Sequence, residues 1–274
     1  MRRLKRDGVA LLYEEAGEGE PPVLLVHGWC CDHTYFAPQF GHFAERGHRV
    51  VAPDLRGHGK SEKPEQSYTM QVFADDLLWT CGQFGLEKPI IIGHSMGGIA
   101  AFDLAARYPD LPSAVVMLDA AVVLPSTARA AIPSLLEQLR GPDYREVIRQ
   151  YVANSLFIPT DDQERKERVL EEMSSTPQHV VVSAFEGLRD YDPNEAAGGP
   201  AVPGLYIAAD ELQPRSDMGR FHELFPQILY GKTVGSGHFC QLEVPDLGRE
   251  VGVVAAPAVD QQDGRLPSAC LLVE

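Results

Sequence analysis

Three things are scarce in this 274-residue sequence: long apolar runs, paired cysteines and basic charge. No run approaches the ~20 apolar residues of a membrane-spanning helix, and no apolar segment with a cleavage site follows the basic start. The five cysteines are odd in number and form no Cys-x-x-Cys pair, which argues against a disulfide framework and a zinc site. A net charge of −15, from 24 basic and 39 acidic residues, disfavours nucleic acids and anionic membranes as partners. We therefore expect a cytoplasmic protein that binds no metal, no membrane and no nucleic acid.

Short apolar segments alternate with helical patterns along much of the chain. The segments are continuously apolar, which is typical of strands that helices cover on both faces. Strand, helix and strand in alternation indicate a mostly parallel sheet and the α/β class. The predicted strands lie in residues 8–17, 21–29, the start of 48–61, 88–95, 113–123, 204–210 and 232–239, and the predicted helices in residues 69–85 and 96–110.

Residues 124–200 interrupt this alternation. They contain helical patterns without a convincing strand, between Pro125 and a linker rich in glycine and proline. We therefore expect a helical insertion there, with residues 1–123 and 201–246 forming the core. Residues 247–274 have two prolines, scattered glycines and no sustained helical period, so they are predicted to be an atypical C-terminal tail.

The segment Gly93-His94-Ser95-Met96-Gly97 fits the pattern G-x-S-x-G between a predicted strand and a predicted helix. This context is typical of a nucleophile elbow, a sharp turn that lifts a serine hydroxyl above the sheet. The turn tolerates only small residues two positions before and two after the serine, and glycine stands at both. Ser95 is therefore the predicted nucleophile.

A serine nucleophile needs a base and an oxyanion hole. Of the nine histidines, His238 follows the last predicted strand in a glycine-rich loop, and it is the predicted base. His94 is predicted to project away from the hydroxyl across the turn. Backbone N–H groups of Met96, directly after the serine, and Trp29, after a His-Gly pair, are the predicted oxyanion donors. The remaining predicted pocket residues are Gly28, Cys30, His94 and Phe239.

Four motifs together resemble the α/β-hydrolase fold family over residues 8–246. They are His-Gly-Trp at 27–29, Asp-Leu-Arg-Gly-His-Gly-Lys-Ser at 54–61, the elbow at 93–98, and Gly-Ser-Gly-His at 235–238. The resemblance implies an eight-stranded, mostly parallel sheet flanked by helices. It also implies that the helical insertion follows the sixth strand and caps the site, and that no cofactor is needed.

The acid that orients His238 has three candidates. Most relatives place it after the strand that follows the cap, where Asp210 and then Glu211 stand off register. Some branches place it after the strand that precedes the cap, where Asp119 stands. We favour Asp119, with Asp210 and then Glu211 as alternatives.

A narrower resemblance supports Asp119. Residues 28–33 and 235–246 are similar to the cofactor-free dioxygenases that cleave 3-hydroxy-4-quinolone rings, in which a histidine–aspartate dyad deprotonates the substrate. This chain has Cys31 and Met96 where those proteins have histidines, which favours ordinary hydrolysis.

The preferred hypothesis is a serine hydrolase that cleaves a small apolar carboxylic ester or lactone through an acyl-enzyme on Ser95. The alternatives are a cofactor-independent dioxygenase that uses a His238/Asp119 dyad, and a non-catalytic ligand receptor. Serine at the elbow argues against dehalogenase and epoxide hydrolase chemistry. In this fold family, those two reactions are associated with an aspartate nucleophile. The apolar substrate is inferred from residues of the insertion: Leu135, Leu136, Leu139, Tyr144, Tyr151, Leu156, Phe157 and Phe185.

Overall fold

An eight-stranded sheet runs through the computed structural model, which describes residues 1–196 and 199–245. The atypical tail predicted at 247–274 lies outside the described residues. The strands are β1 (Arg2–Arg6), β2 (Val9–Ala16), β3 (Gly19–Val26), β4 (His48–Asp54), β5 (Ile90–His94), β6 (Ala114–Leu118), β7 (Gly204–Ala208) and β8 (Ile228–Lys232). Their order is β1-β2-β4-β3-β5-β6-β7-β8. β1 and β2 pair antiparallel, as do β2 and β4, and all other neighbours pair parallel. The predicted mostly parallel, eight-stranded sheet is confirmed.

Nine α-helices accompany the sheet within the described residues. They are α1 (Ala37–Glu45), α2 (Met70–Phe84), α3 (Met96–Arg107), α4 (Ser126–Leu139), α5 (Tyr144–Ser155), α6 (Gln163–Ser174), α7 (Gln178–Asp190), α8 (Met218–Leu224) and α9 (Cys240–Glu243). The start of α2 is capped by the Thr69 hydroxyl, which accepts a hydrogen bond from the Val72 N–H at 3.2 Å, and Gly85 ends it in the left-handed region. None of these helices is both long and apolar enough to cross a bilayer.

The continuous apolar strands are buried on both faces. Along β3, Leu24 and Val26 belong to one apolar cluster, whereas Val23 and Leu25 belong to the cluster on the opposite side of the sheet. Successive side chains of a strand point to opposite faces, so a strand covered on both sides needs an apolar residue at every position. This explains why the central strands do not alternate in polarity.

The segment between β6 and β7 is helical. It contains α4 to α7 and a 3-10 helix at Pro193–Ala196, and no strand lies in its described part. The predicted absence of strands in 124–200 therefore agrees with the structure as far as it is described.

The final strand was predicted too late in the sequence. The structure has β8 at Ile228–Lys232, and the predicted strand at 232–239 is mainly a loop. Gly235 lies in the left-handed region with φ of +73°, which a strand does not accommodate. β8 lies at the sheet edge and exposes Leu229 and Tyr230, so its pattern differs from that of the central strands.

Candidate active site

Ser95 stands on a strained turn between β5 and α3. Its φ of 53° and ψ of −120° are rare for a residue with a side chain. The turn is fixed by its N–H, which donates to the Leu118 carbonyl on β6 at 2.9 Å. A Cβ at Gly93 would overlap the Gly97 carbonyl, and a Cβ at Gly97 would overlap the His27 carbonyl. The steric reason for both glycines is therefore visible in the structure.

Ser95 opens into a cavity of about 400 Å³. Residues of the core and residues of the helical segment line it together. The core side comprises Gly28, Trp29, Cys31, His94, Ser95, Asp119, Ala121, Arg215, His238 and Phe239. The side from 124–190 comprises Leu124, Ala128, Ala131, Ile132, Leu135, Tyr151, Ser155, Leu156, Met173, Phe185 and Leu188. The lining is predominantly apolar, and the charged groups gather at one end.

His238 and Asp119 form a buried pair in this cavity. His238 Nδ1 lies 2.6 Å from Asp119 Oδ2, while Asp119 Oδ1 accepts a hydrogen bond from the Ala209 N–H at 3.1 Å. Asp119 is only 1% exposed. Burial alone would raise the pKa of its carboxyl, but the hydrogen bond to His238 and the charge of Arg215 outweigh burial and lower this pKa. The carboxylate is thus held ionised beside the imidazole.

The other two candidate acids lie elsewhere. Asp210 is exposed, accepts a hydrogen bond from the Gly235 N–H at 2.9 Å and pairs with Lys232 at 3.0 Å. Glu211 pairs with Arg215 at 2.5 Å. Among the described residues, neither has a hydrogen bond to His238. The structure therefore brings Asp119 to the imidazole and leaves Asp210 and Glu211 outside the pair.

Arg215 is a residue of this site that sequence reasoning missed. It lies in the loop after β7, lines the cavity, and places Nε 3.4 Å from Asp119 Oδ2. Its Nη2 donates to Glu211 Oε1 and to the Ser155 carbonyl at the end of α5. The sequence does place this arginine four residues after Glu211, in the stretch that follows a predicted strand. No motif or spacing in the sequence connects it with Asp119.

Ser95 and His238 line the same cavity without a direct bond. Within residues 1–196 and 199–245, no hydrogen bond joins the Ser95 hydroxyl to His238. Catalytic hydrogen bonds in empty sites are often long and tighten when substrate binds. The predicted nucleophile and the predicted base therefore line one cavity, and we expect their hydrogen bond to form when substrate binds.

His94 and Phe239 both line the cavity, as predicted. His94 Nε2 donates to the His238 carbonyl at 2.9 Å, and the two imidazole rings lie 4.7 Å apart. Complete burial lowers the pKa of His94 to about 3, so this ring stays neutral. His94 thus supports the loop that carries His238.

One predicted pocket residue is wrong. Gly28 lines the cavity as predicted, but Cys30 does not, and its neighbour Cys31 does. Cys30 has φ of +56°, which turns the chain so that its side chain faces a separate cavity of about 190 Å³. The sequence of two adjacent cysteines carries no sign of this local backbone reversal.

The predicted oxyanion donors occupy suitable elements. Met96 is the first residue of α3, and N–H groups in the first turn of a helix have no partner within the helix. Trp29 lines the cavity, and its indole donates to the Val181 carbonyl on α7 at 3.1 Å. Met96 as a whole is fully buried, and its side chain belongs to the apolar core.

Among the described residues, one group of side chains is close enough to hold a metal ion. It consists of Asp32, His33 and Asp54, whose possible ligand atoms lie within 4.8 Å of one another. The Asp54 carboxylate already accepts hydrogen bonds from the His33 N–H, the His33 ring and the Lys60 N–H, at 2.7–2.9 Å. None of the three residues lines the cavity of Ser95. We assign this cluster to the structure of the loops after β3 and β4.

Comparison with known proteins identifies the class. Residues 21–245 match the family model of the alpha/beta hydrolase fold, and the chain therefore belongs to this family. The AB hydrolase superfamily protein YisY of Bacillus subtilis strain 168 is 27% identical over an alignment of 209 residues, which covers 73% of this chain and 76% of that protein.

Esterases are among the similar proteins. The bifunctional esterase/perhydrolase DCH of Acinetobacter calcoaceticus is 36% identical over 118 residues, or 43% of each chain. A thermophilic esterase from Thermogutta terrifontis, solved with malate bound, superimposes with a TM-score of 0.80 at 26% identity, covering 92% of this chain and 96% of that one. The match to DCH spans less than half of that protein. These relatives support hydrolase activity.

Proposed function

We propose that this protein is a carboxylic ester hydrolase that acts on a small apolar ester or lactone through an acyl-enzyme on Ser95. The observation that carries the proposal is the buried His238–Asp119 pair, with Nδ1 and Oδ2 2.6 Å apart, in the cavity onto which the strained Ser95 turn opens. A neutral histidine held by an ionised carboxylate is the base that a serine hydroxyl needs. The esterase relatives support the same reaction class.

In the proposed mechanism, Ser95 Oγ attacks the carbonyl carbon while His238 takes the hydroxyl proton. The developing oxyanion is held by the backbone N–H groups of Met96 and Trp29. His238 then gives its proton to the leaving alcohol, and the C–O bond to that alcohol breaks. Water deprotonated by His238 attacks the acyl carbon, the bond between this carbon and Ser95 Oγ breaks as His238 returns the proton to Oγ, and the acid is released.

The proposed acyl pocket lies under the helical segment 124–200, which we propose acts as the cap. Trp29, Tyr151 and Phe185 pack edge-on and tilted against one another, with ring centroids 5.0–6.2 Å apart. Leu135 and Leu156 also line the cavity. The others singled out from the sequence, namely Leu136, Leu139, Tyr144 and Phe157, pack in the core or against it. A cavity of about 400 Å³ with this lining favours a short apolar group over a sugar or a peptide.

The test is hydrolysis of p-nitrophenyl acetate and butyrate by the wild type and by Ser95→Ala. The matched control is Ser134→Ala, because Ser134 is an exposed serine on α4 outside the cavity lining. We expect turnover by the wild type and the control, and a loss of several orders of magnitude in Ser95→Ala. A fluorophosphonate probe should label Ser95 in the wild type. Folded wild type that neither turns over these esters nor is labelled at Ser95 would overturn the proposal.

A dioxygenase-type reaction is the second candidate, because the same His238–Asp119 pair could deprotonate a ring hydroxyl without Ser95. The missing hydrogen bond between Ser95 and His238 is the observation in its favour. Cys31 at the cavity wall is the observation against it, since the dioxygenases that the sequence resembles have histidine there. Loss of activity in His238→Ala with only a reduction in Ser95→Ala would select this candidate.

A further inference from the structure

A row of four side chains, in which acidic and basic residues alternate, runs into the site. Glu211 Oε1 lies 2.5 Å from Arg215 Nη2, Arg215 Nε lies 3.4 Å from Asp119 Oδ2, and the same Oδ2 lies 2.6 Å from His238 Nδ1. Arg215 Nε is buried and has no hydrogen-bond partner within the described residues, so its contact with Asp119 is purely electrostatic. The cation therefore acts on the same carboxylate oxygen that contacts the His238 ring.

The positive charge in this row compensates the buried negative charge of Asp119. An ionised carboxylate that is 1% exposed is costly unless a cation or several hydrogen bonds compensate it. Within the described residues, Asp119 accepts one backbone hydrogen bond, from Ala209, and contacts the His238 ring, and Arg215 adds a full positive charge. Other titratable groups that act on this row are His94 from β5, Tyr151 from α5, Tyr206 from β7 and Cys240 from α9.

Two anchors hold the Arg215 guanidinium in place. Its Nη2 is held by the Ser155 carbonyl, at the end of a helix in the segment between β6 and β7, and by Glu211. The guanidinium therefore cannot swing freely toward solvent, and a change at Glu211 alters the charge that Asp119 experiences. A substrate carboxylate is a poor candidate for this arginine, because two carboxylates already flank it.

We propose that Arg215 is a positioning residue of the proposed hydrolase, which holds Asp119 ionised and aligned on His238, and that Glu211 moderates its pull. This inference rests on the proposed function. Arg215 touches neither Ser95 nor the reacting carbonyl in this scheme, and it acts through Asp119. The field that Asp119 presents to His238 is then set by the balance between the charges of Arg215 and Glu211.

The signs follow from electrostatics. Removing the cation exposes His238 to an uncompensated carboxylate, which favours the imidazolium, so the acid limb of kcat/KM should move to higher pH by about 0.5–1 unit. Removing the Glu211 charge leaves Arg215 stronger, so the same limb should move to lower pH. If these residues had a purely structural role, their substitution would lower kcat/KM at every pH and would not shift its acid limb in opposite directions.

The experiment compares Arg215→Met, Arg215→Lys and Glu211→Gln with the wild type on p-nitrophenyl butyrate from pH 5 to 9. We expect Arg215→Met to lose about 10- to 100-fold in kcat, as for a lost charged partner, with a smaller effect on KM, and Arg215→Lys to restore part of it. Arg220→Met is the matched control, because Arg220 is exposed on α8 and pairs with Glu223. Circular dichroism and thermal melting check that each variant is folded.

A second measurement does not depend on turnover. The protonation of the His238 ring is followed by NMR of histidine-labelled protein in the same four variants. We expect the His238 titration to move up in Arg215→Met, down in Glu211→Gln and not at all in Arg220→Met. If the wild type hydrolyses no ester but these shifts are seen, the proposed function fails and the role of Arg215 stands. Equal titrations in folded Arg215→Met and wild type would overturn it.

Discussion

The loop that carries His238 contacts buried carboxyl groups on two sides, and the pKa of the carboxyl is shifted in opposite directions on the two sides. On one side, Asp119 is matched by Arg215 at 3.4 Å, and its pKa is lowered. On the other side, Asp161 and Glu243 flank Gly237. The Gly237 N–H donates to Glu243 Oε2 at 2.5 Å, and a Cβ on Gly237 would lie 3.0 Å from Asp161 Oδ2.

The difference between the two sides is the charge of the nearest neighbour. For the carboxyls of Asp119 and Glu243 alike, burial is the largest single influence, and taken alone it would raise the pKa of each. At Asp119 the His238 ring and Arg215 outweigh it. At Glu243, Asp161 adds like charge and Arg165 lies 3.8 Å away, so the pKa rises to about 7. The comparison shows that burial alone does not decide whether a carboxyl near the site is charged.

The largest expected effect concerns the acid beside His238. In Asp119→Ala we expect turnover of p-nitrophenyl butyrate to fall about 10⁴-fold, as for other triad aspartates, because the imidazole loses its partner. Asp210→Ala is the matched control, and its turnover should stay within about twofold, because Asp210 is exposed and paired with Lys232. The reverse result, near-normal Asp119→Ala and inactive Asp210→Ala, would show that Asp119 has no role in turnover.

An intermediate effect concerns Glu243 and stability. The pKa of Glu243 is raised in the folded state from its ordinary value of 4.5 to about 7. The protonated carboxyl therefore contributes to the stability of the fold below pH 4.5, and this contribution is lost as the pH rises through about 7. Replacing it by glutamine removes this loss. Glu243→Gln should therefore gain about 2 kcal/mol in free energy of unfolding, relative to the wild type, between pH 4.5 and pH 8.

Urea denaturation at the two pH values measures this difference. Glu223→Gln serves as the control, because Glu223 is exposed on α8 and pairs with Arg220. A relative stability of Glu243→Gln that does not change with pH would mean that the carboxyl of Glu243 is not perturbed.

The smallest expected effect comes from removing the like charge. In Asp161→Asn the ionised neighbour of Glu243 disappears, so the pKa of Glu243 should fall toward its ordinary value. The pH dependence of stability between 4.5 and 7 should then shrink by about 1 kcal/mol. The same denaturation series measures it, and an unchanged slope would assign the raised pKa to burial alone.

Much of the site follows from local sequence. The elbow at Ser95 is determined within a few residues, because the turn excludes Cβ atoms at Gly93 and Gly97. The central strands are also predictable, because both faces of the sheet are buried and every position is apolar. The structure adds to these features but does not change them.

The remaining features depend on contacts distant in sequence. Asp119 and Asp210 both follow a parallel strand, and only the geometry of the two strand ends decides which carboxylate reaches His238. Arg215 acquires its place through Asp119 and Ser155, which come from other parts of the chain. Cys30 faces away from the cavity because of one positive φ angle. No periodicity or motif encodes the places of Arg215 and Cys30, whereas Asp119 is favoured through the resemblance of residues 28–33 and 235–246 to the dioxygenases.

The hydrogen bond from the Ser95 N–H to the Leu118 carbonyl has a consequence for the order of folding. Ser95 lies inside the β5–α3–β6 unit and Asp119 directly follows it, whereas His238 comes 119 residues after Asp119. Contacts close in sequence form with a smaller loss of chain entropy. We therefore expect the serine and the acid to meet early and the histidine to join last. Activity should then return after far-UV circular dichroism during refolding, and simultaneous recovery would contradict this order.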